Sequence, residues 1–339
     1  MNRSDYFSIA FKDDKFVFLD QTKLPLIEEY IKTADYNRIA EAIEKLEVRG
    51  APAIGITAAY AMALSVKNIS GVESRISSFN KAYQRIVKTR PTAVNLFYAL
   101  DLMKDIFEKN NTSDNIYNIL LDTAKEIHQK DIESCRKIGE NGLKIFKKKS
   151  NILTHCNTGK LATGGDGTAF SVIKTGYENN LVNFVYADET RPLLQGLRLT
   201  AFELEKNGIP FSVQSDSSAA MLMKEKKVDL VVVGADRIAL NGDTANKIGT
   251  YNLAVLCNFH NIPFYIAAPS TTIDRKIPTG NDIVIEFRNK NELNEIKGLR
   301  IAPENYDAYS PAFDVTPSHL ITGIITEEEI YLFPYNFIR

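Results

Sequence analysis

The run from Asn151 to Thr168, NILTHCNTGKLATGGDGT, decides how this chain folds. It reads as a short buried strand that stops at Cys156, followed by a glycine-rich loop and by a helix that begins near Thr168. This succession turns backbone N–H groups toward an anion. The run is therefore predicted to form the rim of an active site.

The glycines of this run match neither of the common nucleotide-binding patterns. Gly159 and Lys160 are followed by a leucine and lack the upstream glycine of a P-loop. Nothing completes the run from Gly165 to Gly167 as a dinucleotide fingerprint. The glycine pattern therefore gives little support to a nucleotide ligand.

Length and composition indicate an ordinary globular protein with about two domains. The chain has 339 residues, of which 44% are hydrophobic and 24% charged, and its net charge is -1. This balance shows no bias toward nucleic acid or membranes as partners. No apolar run reaches the roughly 18 residues of a membrane span, and the N-terminus lacks the apolar segment of a signal peptide. A cytoplasmic location is predicted.

The three cysteines, Cys135, Cys156 and Cys257, are widely spaced and form no CxxC pair. Their odd number and spacing argue against a disulfide framework and a zinc site. No cluster of metal ligands is visible in the sequence, and neither a metal nor another cofactor is expected. Cys135 and Cys257 are predicted to be small buried hydrophobes. Cys156 differs, because a strand end beside a glycine-rich turn and a helix N-terminus tends to activate and expose a thiol.

The first part of the chain is predicted to be a mostly helical domain, residues 1–148, with a small β element at Phe16–Asp20. Apolar residues recur at helical spacing from Asp35 to about Ile145. The charged run Lys147–Lys149 marks the expected boundary. Beyond it, residues 149–339 are predicted to form an α/β domain.

Two arginines precede prolines suited to the first position of a helix, Arg49 before Gly50-Ala51-Pro52 and Arg90 before Pro91. The positive end of a helix is a poor place for a cation, so each arginine requires a compensating anion. A phosphate ligand or a nearby carboxylate would serve equally well for either arginine alone. Finding the arrangement twice moderately favours phosphate.

The second domain alternates strands with helices, which predicts a parallel sheet covered on both faces. The predicted strands are Ile152–His155, Asn183–Ala187, Phe211–Gln214, Asp229–Val233, Phe264–Ala267 and Leu320–Ile325, and the predicted helices are Thr168–Thr175, Arg191–Asn207, Ser217–Lys226 and Lys247–Asn258. Ligands bind beyond the carboxyl ends of such strands. The residues found there are Cys156, Asp188, Glu189, Asp216, Asp236 and Ser270.

Two of these rim residues suggest proton transfer. Asp236 ends a hydrophobic strand, where partial burial favours a protonated carboxyl that could act as a general acid; the alternative is a solvated turn aspartate. Cys156 would supply a thiol on the same rim. Asn246 and Lys247 are expected at another helix start, where Lys247 could bind phosphate. His155 lies inside a strand, which favours a packed, hydrogen-bonded histidine over a base.

With these residues in view, the chain resembles the methylthioribose-1-phosphate isomerase family, whose superfamily also holds regulatory subunits of translation initiation factor 2B and ribose-1,5-bisphosphate isomerase. The resemblance rests on these motifs, in this order: LDQT-x-LP from Leu19, RGAPAIG from Arg49, RPTAVN from Arg90, THCNTG from Thr154, ETRPLLQG from Glu189, GADRI from Gly234 and NKIGT from Asn246.

The resemblance implies an N-terminal helical domain, a Rossmann-like C-terminal domain and a homodimer. It also implies a catalytic pair, Cys156 and Asp236. The residues that it implies for binding the phosphosugar are Arg49, Gly50, Ala51, Arg90, Gln195, Asn246 and Lys247. One departure stands out, because Asp166 occupies a position where the family often has an aromatic ring.

The implied reaction converts 5-methylthioribose 1-phosphate to its ketose in methionine salvage, with Asp236 protonating the ring oxygen and Cys156 helping to move hydrogen from C2 to C1. Hydride shift and proton relay are both open. One rival substrate is 5-deoxyribose 1-phosphate. A regulatory subunit of the initiation factor 2B type is the rival from another class, and a nicotinamide-dependent oxidoreductase rests on fold analogy alone.

Overall fold

The computed structural model describes residues 6–91 and 93–337. The chain divides into two compact units. The first comprises the residues up to Glu133 together with Gly159–Gly167, and the second comprises Ser134–Thr158 and the residues from Thr168 onward. This division differs in two ways from a boundary at residue 148. Residues 134–148 belong to the second unit, and the glycine-rich segment Gly159–Gly167 belongs to the first.

The first unit is mostly helical, as the apolar periodicity predicts, and begins with a small antiparallel sheet in the order β1-β2-β3. The last residues of its longest helix, α5, belong to the second unit. In chain order the elements are β1 (Ile9–Lys12), β2 (Lys15–Leu19), β3 (Tyr30–Thr33), α1 (Tyr36–Glu44), α2 (Ala51–Leu64), α3 (Val72–Ile86), α4 (Val94–Asn110) and α5 (Ile116–Gly142).

Helix α2 forms the centre of this unit. Every residue from Ala53 to Leu64 is buried, as expected for a helix that is apolar on all sides. A Cβ at Gly55 would lie only 2.7 Å from the carbonyl oxygen of Asn95. The absence of a side chain at Gly55 therefore lets the start of α4 pack closely against the first turns of α2.

The second unit alternates strands and helices, and a π-helical turn, Gly196–Thr200, leads into α7. In chain order its elements are β4 (Ser150–Thr154), α6 (Ala169–Glu178), β5 (Val182–Asp188), α7 (Ala201–Lys206), β6 (Phe211–Gln214), α8 (Ala219–Lys224), β7 (Leu230–Val233), β8 (Arg237–Ala239), β9 (Thr244–Lys247), α9 (Thr250–His260), β10 (Phe264–Ala267), β11 (Ile273–Asp274), α10 (Asn291–Asn294), β12 (Glu295–Ile296), β13 (Leu299–Arg300), β14 (Phe313–Thr316), β15 (Gly323–Ile325) and β16 (Ile330–Leu332).

The large sheet has the strand order β16-β15-β10-β7-β4-β5-β6. Its strands pair in parallel, except that the edge strand β16 runs antiparallel to β15. Along β7, Leu230 and Val232 contribute to one core cluster, whereas Val231 and Val233 contribute to another. Both faces of the sheet are therefore covered, which confirms the predicted α/β architecture.

A second sheet, in the order β11-β8-β9-β14, was not predicted. Its strands are two to four residues long, and β9 consists of the largely polar sequence Thr-Ala-Asn-Lys. Lys247 of β9 pairs with Phe313 of β14, far along the chain. Short polar strands with distant partners leave no apolar periodicity to detect.

Two predicted helix starts are wrong. Lys247 ends a strand, and α9 begins only at Thr250, after Gly249 has turned the chain with a φ of 105°. Helix α4 begins at Val94, so Pro91 does not occupy its first position. Arg90 lies instead in a turn in which its carbonyl oxygen accepts the N–H of Ala93 over 3.1 Å.

Other predicted elements start earlier than the observed ones. The helix expected from Arg191 begins only at Gly196, and the strand expected from Leu320 begins only at Gly323. In the described ranges, no helix combines the length and the apolarity needed to cross a membrane.

Candidate active site

Polar residues follow the parallel strands of the large sheet at one edge. Cys156 comes two residues after β4, Asp188 ends β5 and Asp216 comes two residues after β6. Asp236 comes three residues after β7, and Ser270 comes three residues after β10. Since these strands are parallel, their carboxyl ends share an edge, where open α/β sheets bind ligands. The structure thus brings these predicted rim residues to one edge.

The backbone of Cys156 is left-handed, with a φ of 64°, which costs energy for any residue with a side chain. Two threonines hold this conformation. The N–H of Cys156 donates to Oγ1 of Thr190 over 2.9 Å, and Oγ1 of Thr200 donates to the Cys156 carbonyl oxygen over 2.6 Å. The expectation of an exposed thiol is wrong, since Cys156 is only 8% exposed.

The loop that carries Thr190 is itself anchored at the same edge. The two carboxylate oxygens of Asp216 accept the N–H groups of Thr190 and Arg191 over 2.7 and 2.8 Å. A Cβ at Gly196 would lie 1.6 Å from the carbonyl oxygen of Asp188, so only glycine fits there. The π-helical turn that begins at this glycine carries Thr200 to Cys156, and π-turns of this kind are frequent at functional sites.

Asp236 lies in the turn between β7 and β8, beside the cysteine turn. A Cβ at Gly234 would come within 2.6 Å of Cγ2 of Thr158, so the glycine allows the two turns to pack closely. The N–H of Asp236 donates to the carbonyl oxygen of Ala245 over 2.9 Å, which ties this turn to β9. The half-buried Asp236 therefore belongs to the same strand-end cluster as Cys156.

His155 is buried and hydrogen-bonded, which confirms the packed-histidine interpretation. Its Nδ1 lies 3.0 Å from Oδ2 of Asp188, and both side chains are 1% exposed. Its Nε2 lies 2.9 Å from the carbonyl oxygen of Ile248. Burial alone would lower the pKa of His155, but the hydrogen bond and charge of Asp188 outweigh burial and raise it above 6.5.

Sequence reasoning placed Asp188 and Asp216 at one rim but missed that His155 joins them, with ligand-type atoms of the three residues within 4.8 Å of one another. Protein hydrogen bonds already engage these atoms. Nδ1 of His155 faces Asp188, Oδ1 of Asp188 accepts from Gln214, and both oxygens of Asp216 accept backbone N–H groups. The three residues therefore form an internal network and do not fit a metal site.

Asn246 and Lys247 lie on β9 and precede the turn into α9. Asn246 is 4% exposed, and its Nδ2 donates to Oγ1 of Thr250 over 3.0 Å. Lys247 donates to the carbonyl oxygen of Ala312 over 2.8 Å and lies 4.5 Å from the ring centroid of Phe313. A strand end thus presents both side chains, where a helix start had been expected.

Gln195 immediately precedes the π-helical turn. It is 5% exposed, and its Oε1 is buried without a hydrogen-bond partner among the residues that the structure describes. Leaving such an acceptor unsatisfied costs about 1–3 kcal/mol. A hydroxyl group on a ligand would remove that cost.

In the first unit, Arg49 immediately precedes Gly50, which caps α2 with a φ of 94°. A Cβ at Gly50 would lie 2.4 Å from the carbonyl oxygen of Ala162, so this corner packs directly on the glycine-rich segment. Because α4 starts beside the first turns of α2, Arg90 lies in the turn that leads to a neighbouring helix start.

The glycine-rich segment is also held by α5. The N–H of Gly164 donates to Oδ2 of Asp131 over 2.6 Å, and its carbonyl oxygen lies 3.2 Å from Nε2 of His128. Burial lowers the pKa of His128, so its neutral form is favoured. Asp166 forms an ion pair with Lys160, with Oδ1 and Nζ 3.1 Å apart.

Comparisons with known proteins agree with this architecture. Residues 47–330 match the model of the initiation factor 2 subunit family. The methylthioribose-1-phosphate isomerases of Desulfitobacterium hafniense and Carboxydothermus hydrogenoformans are each 50% identical over 97% of this chain and 96% of their own length.

Solved structures give the same result. The 5-methylthioribose 1-phosphate isomerase of Pyrococcus horikoshii OT3 has a TM-score of 0.94 and 40% identity, and covers 98% of this chain and 95% of its own. Translation initiation factor eIF-2B, subunit delta, from A. fulgidus has a TM-score of 0.89, also at 40% identity, over 98% and 97% of the two chains.

The helical unit, the parallel sheet and these matches define a protein of the initiation factor 2 subunit family. Within that family, the chain belongs with the methylthioribose-1-phosphate isomerases. The resemblance noted from the sequence motifs is thereby confirmed.

Proposed function

We propose that the chain is an aldose–ketose isomerase that converts 5-methylthioribose 1-phosphate to 5-methylthioribulose 1-phosphate in methionine salvage. The observation that carries this proposal is the 50% identity to curated isomerases over nearly the whole chain. The strand-end cluster that contains Cys156 and Asp236 adds support, since it offers the two proton-transferring groups that such a reaction needs.

Phosphate on the anomeric oxygen blocks spontaneous ring opening, so the enzyme has to open the ring. In the proposed mechanism Asp236 gives a proton to the ring oxygen as the bond from that oxygen to C1 breaks. A hydrogen then leaves C2 and enters C1, and the C2 hydroxyl returns a proton to the Asp236 carboxylate as the ketone forms, which restores the acid. In the proton-relay version, Cys156 takes the hydrogen from C2 as a proton and returns one to C1.

Proton relay and hydride shift differ in the fate of that hydrogen. Turnover in D₂O introduces deuterium at C1 of the product if Cys156 relays a proton that exchanges with solvent. A hydride shift leaves C1 without solvent deuterium. Deuterium at C1 in the NMR spectrum of the product would therefore establish that a proton is relayed and exclude a direct hydride shift.

Seven residues are assigned to phosphosugar binding on the basis of the family resemblance: Arg49, Gly50, Ala51, Arg90, Gln195, Asn246 and Lys247. The support is chemical: arginine and lysine complement phosphate charge, while Gln195 and Asn246 are nearly buried amides suited to sugar hydroxyls. The unpartnered Oε1 of Gln195 is the strongest single feature among them.

Steady-state kinetics with methylthioribose 1-phosphate, 5-deoxyribose 1-phosphate and ribose 1-phosphate test the function. An apolar pocket for the C5 substituent favours the first substrate over the second by about 1–3 kcal/mol. Ribose 1-phosphate is expected to be poorest, because its 5-hydroxyl would be buried without a partner. The ion pair of Asp166 with Lys160 supports this order, since the carboxylate is already engaged.

Other outcomes would redirect the assignment. Equal efficiency with ribose 1-phosphate would contradict an apolar pocket. Inactivity toward all three sugars would favour a regulatory subunit, the class named for the A. fulgidus structure.

The proposed protein is a cytoplasmic homodimer. The resemblance implies the dimer, and helix α9 offers a surface for it: Tyr251, Val255 and Phe259 recur every four residues and are 41%, 42% and 77% exposed. An exposed apolar stripe is typical of a protein interface. Light scattering should give the dimer mass for the wild type and a monomer for Phe259→Glu; a monomeric wild type would contradict the proposal.

A further inference from the structure

His155 connects the cysteine strand to a second part of the candidate site. It directly precedes Cys156, and both of its ring nitrogens face acceptors, Asp188 and the carbonyl oxygen of Ile248. A carbonyl oxygen can only accept, so Nε2 must carry the proton of the 2.9 Å hydrogen bond to Ile248. The ring is thus a fixed donor toward that backbone.

Ile248 belongs to the turn that follows Asn246 and Lys247. The next residue, Gly249, donates its N–H to Oδ2 of Asp314 over 2.7 Å. A Cβ at Gly249 would lie 2.9 Å from Cε1 of His155, so the imidazole lies directly against the backbone of the turn. His155 and Asp314 therefore both hold the end of β9.

The carboxylates around the ring favour its protonated form. Carboxylates from three elements interact with it: Asp188 at the end of β5, Asp216 after β6 and Asp314 on β14. Among them, Asp188 accepts a hydrogen bond from Nδ1 of His155 with Oδ2. Its other oxygen, Oδ1, accepts a hydrogen bond from Nε2 of Gln214 over 2.8 Å. This surrounding favours a proton on each ring nitrogen.

We propose that His155 is a positioning residue of the isomerase, whose Nε2–H bond to Ile248 holds Asn246 and Lys247 in place for substrate relative to Cys156. This inference rests on the proposed function. His155 acts through the backbone of the turn and does not touch the substrate. Its effect is therefore expected on substrate binding, beyond any effect on stability.

Two amide substitutions separate the two hydrogen bonds of the ring. In His155→Asn the side-chain nitrogen takes the place of Nδ1 and can donate to Asp188, whereas in His155→Gln it takes the place of Nε2 and can donate to Ile248. Each variant loses one hydrogen bond, so both should melt at lower temperatures. His155→Asn should raise KM roughly tenfold, the equivalent of one hydrogen bond.

His155→Gln should keep KM within roughly threefold of the wild type, because the bond to Ile248 persists. His319→Asn, which replaces an exposed histidine, is the matched control and should leave both KM and melting unchanged. An unchanged KM in His155→Asn, or an equal rise of KM in both His155 variants, would overturn the proposal.

Two readouts are independent of turnover. In ¹⁵N-histidine-labelled protein, an Nε2-bound proton of His155 should be visible in the wild type and absent in His155→Asn; its absence from the wild type overturns the inference. The affinity for inorganic phosphate should follow the same order of variants as KM. If the wild type does not convert the sugar phosphate, the proposed function is wrong. The phosphate affinities of the wild type and the two His155 variants would still decide whether His155 is a positioning residue.

Discussion

The hydroxyl of Thr200 donates to the carbonyl oxygen of Cys156 over 2.6 Å. Thr200 ends a π-helical turn, and Cys156 occupies a left-handed backbone conformation two residues after β4. The left-handed backbone conformation of the proposed catalytic cysteine is unfavourable by itself. It therefore depends on support from a neighbouring element, which the Thr200 hydrogen bond supplies.

Thr200→Val should destabilise the protein by about 1–3 kcal/mol, because it removes the hydroxyl donor of the buried Cys156 carbonyl. Thr316→Val is the matched control: the Thr316 hydroxyl is also buried, but in the described part of the chain it has no hydrogen-bond partner. That control should be neutral or stabilising. Urea unfolding measures both, and equal losses of stability would show that the Thr200 bond is unimportant.

Cys156→Ser and Asp236→Asn should each lower turnover by about two or more orders of magnitude, the scale of general acid–base catalysis. Cys257→Ser is the control for the thiol, since Cys257 is a buried cysteine on α9 and burial raises the pKa of its thiol. The control should lose stability while retaining turnover. A Cys156 or Asp236 variant with wild-type turnover would remove that residue from the mechanism.

Arg49→Ala or Arg90→Ala should weaken substrate binding by roughly 1.5–3 kcal/mol, the loss expected for a hydrogen bond to a charged group. Arg85→Ala is the control, because Arg85 of the same unit pairs with Glu44 in a partly exposed ion pair. Competition by inorganic phosphate measures the affinity directly. If affinity stays at the wild-type value, both arginines return to a structural role.

His128 should make stability depend on pH. Burial lowers its pKa, and its Nδ1 lies 3.2 Å from the hydroxyl oxygen of Tyr60. Only a neutral ring can accept a hydrogen bond from that hydroxyl at Nδ1. The stability that the neutral His128 ring contributes is complete above its pKa in the unfolded chain, about 6.5. This stability is lost as pH falls through the lower pKa of His128 in the folded protein. The free energy of unfolding should therefore fall on acidification below about pH 6.5.

His128→Gln is the matched variant, since its amide can still donate to Gly164 but does not titrate in this range. Urea unfolding at several pH values gives the free energy of unfolding of the wild type and of the variant. The difference between the two isolates the contribution of the His128 ring. A difference that does not change with pH would show that His128 titrates normally in the folded protein.

The sequence by itself determined the main sheet and its rim. The observed bounds of β6 and β10 coincide with the predicted strands. The alternating residues of Phe211–Gln214 and the apolar run Phe264–Ala267, each flanked by turn residues, are local signals for a strand. Parallel pairing follows from the alternation of strands and helices, and it places the strand-end residues Cys156 and Asp236 at one edge. The sequence motifs also predicted the family, and the comparisons with known proteins confirm that prediction.

Only the tertiary structure decided how that edge is held. β9 is polar and pairs with β14, so Lys247 could not be assigned to a strand without its distant partner. The network of His155, Asp188 and Ile248 joins residues up to 93 positions apart. Local propensity carries no information about such contacts, since burial and long-range hydrogen bonding exist only after the chain has folded.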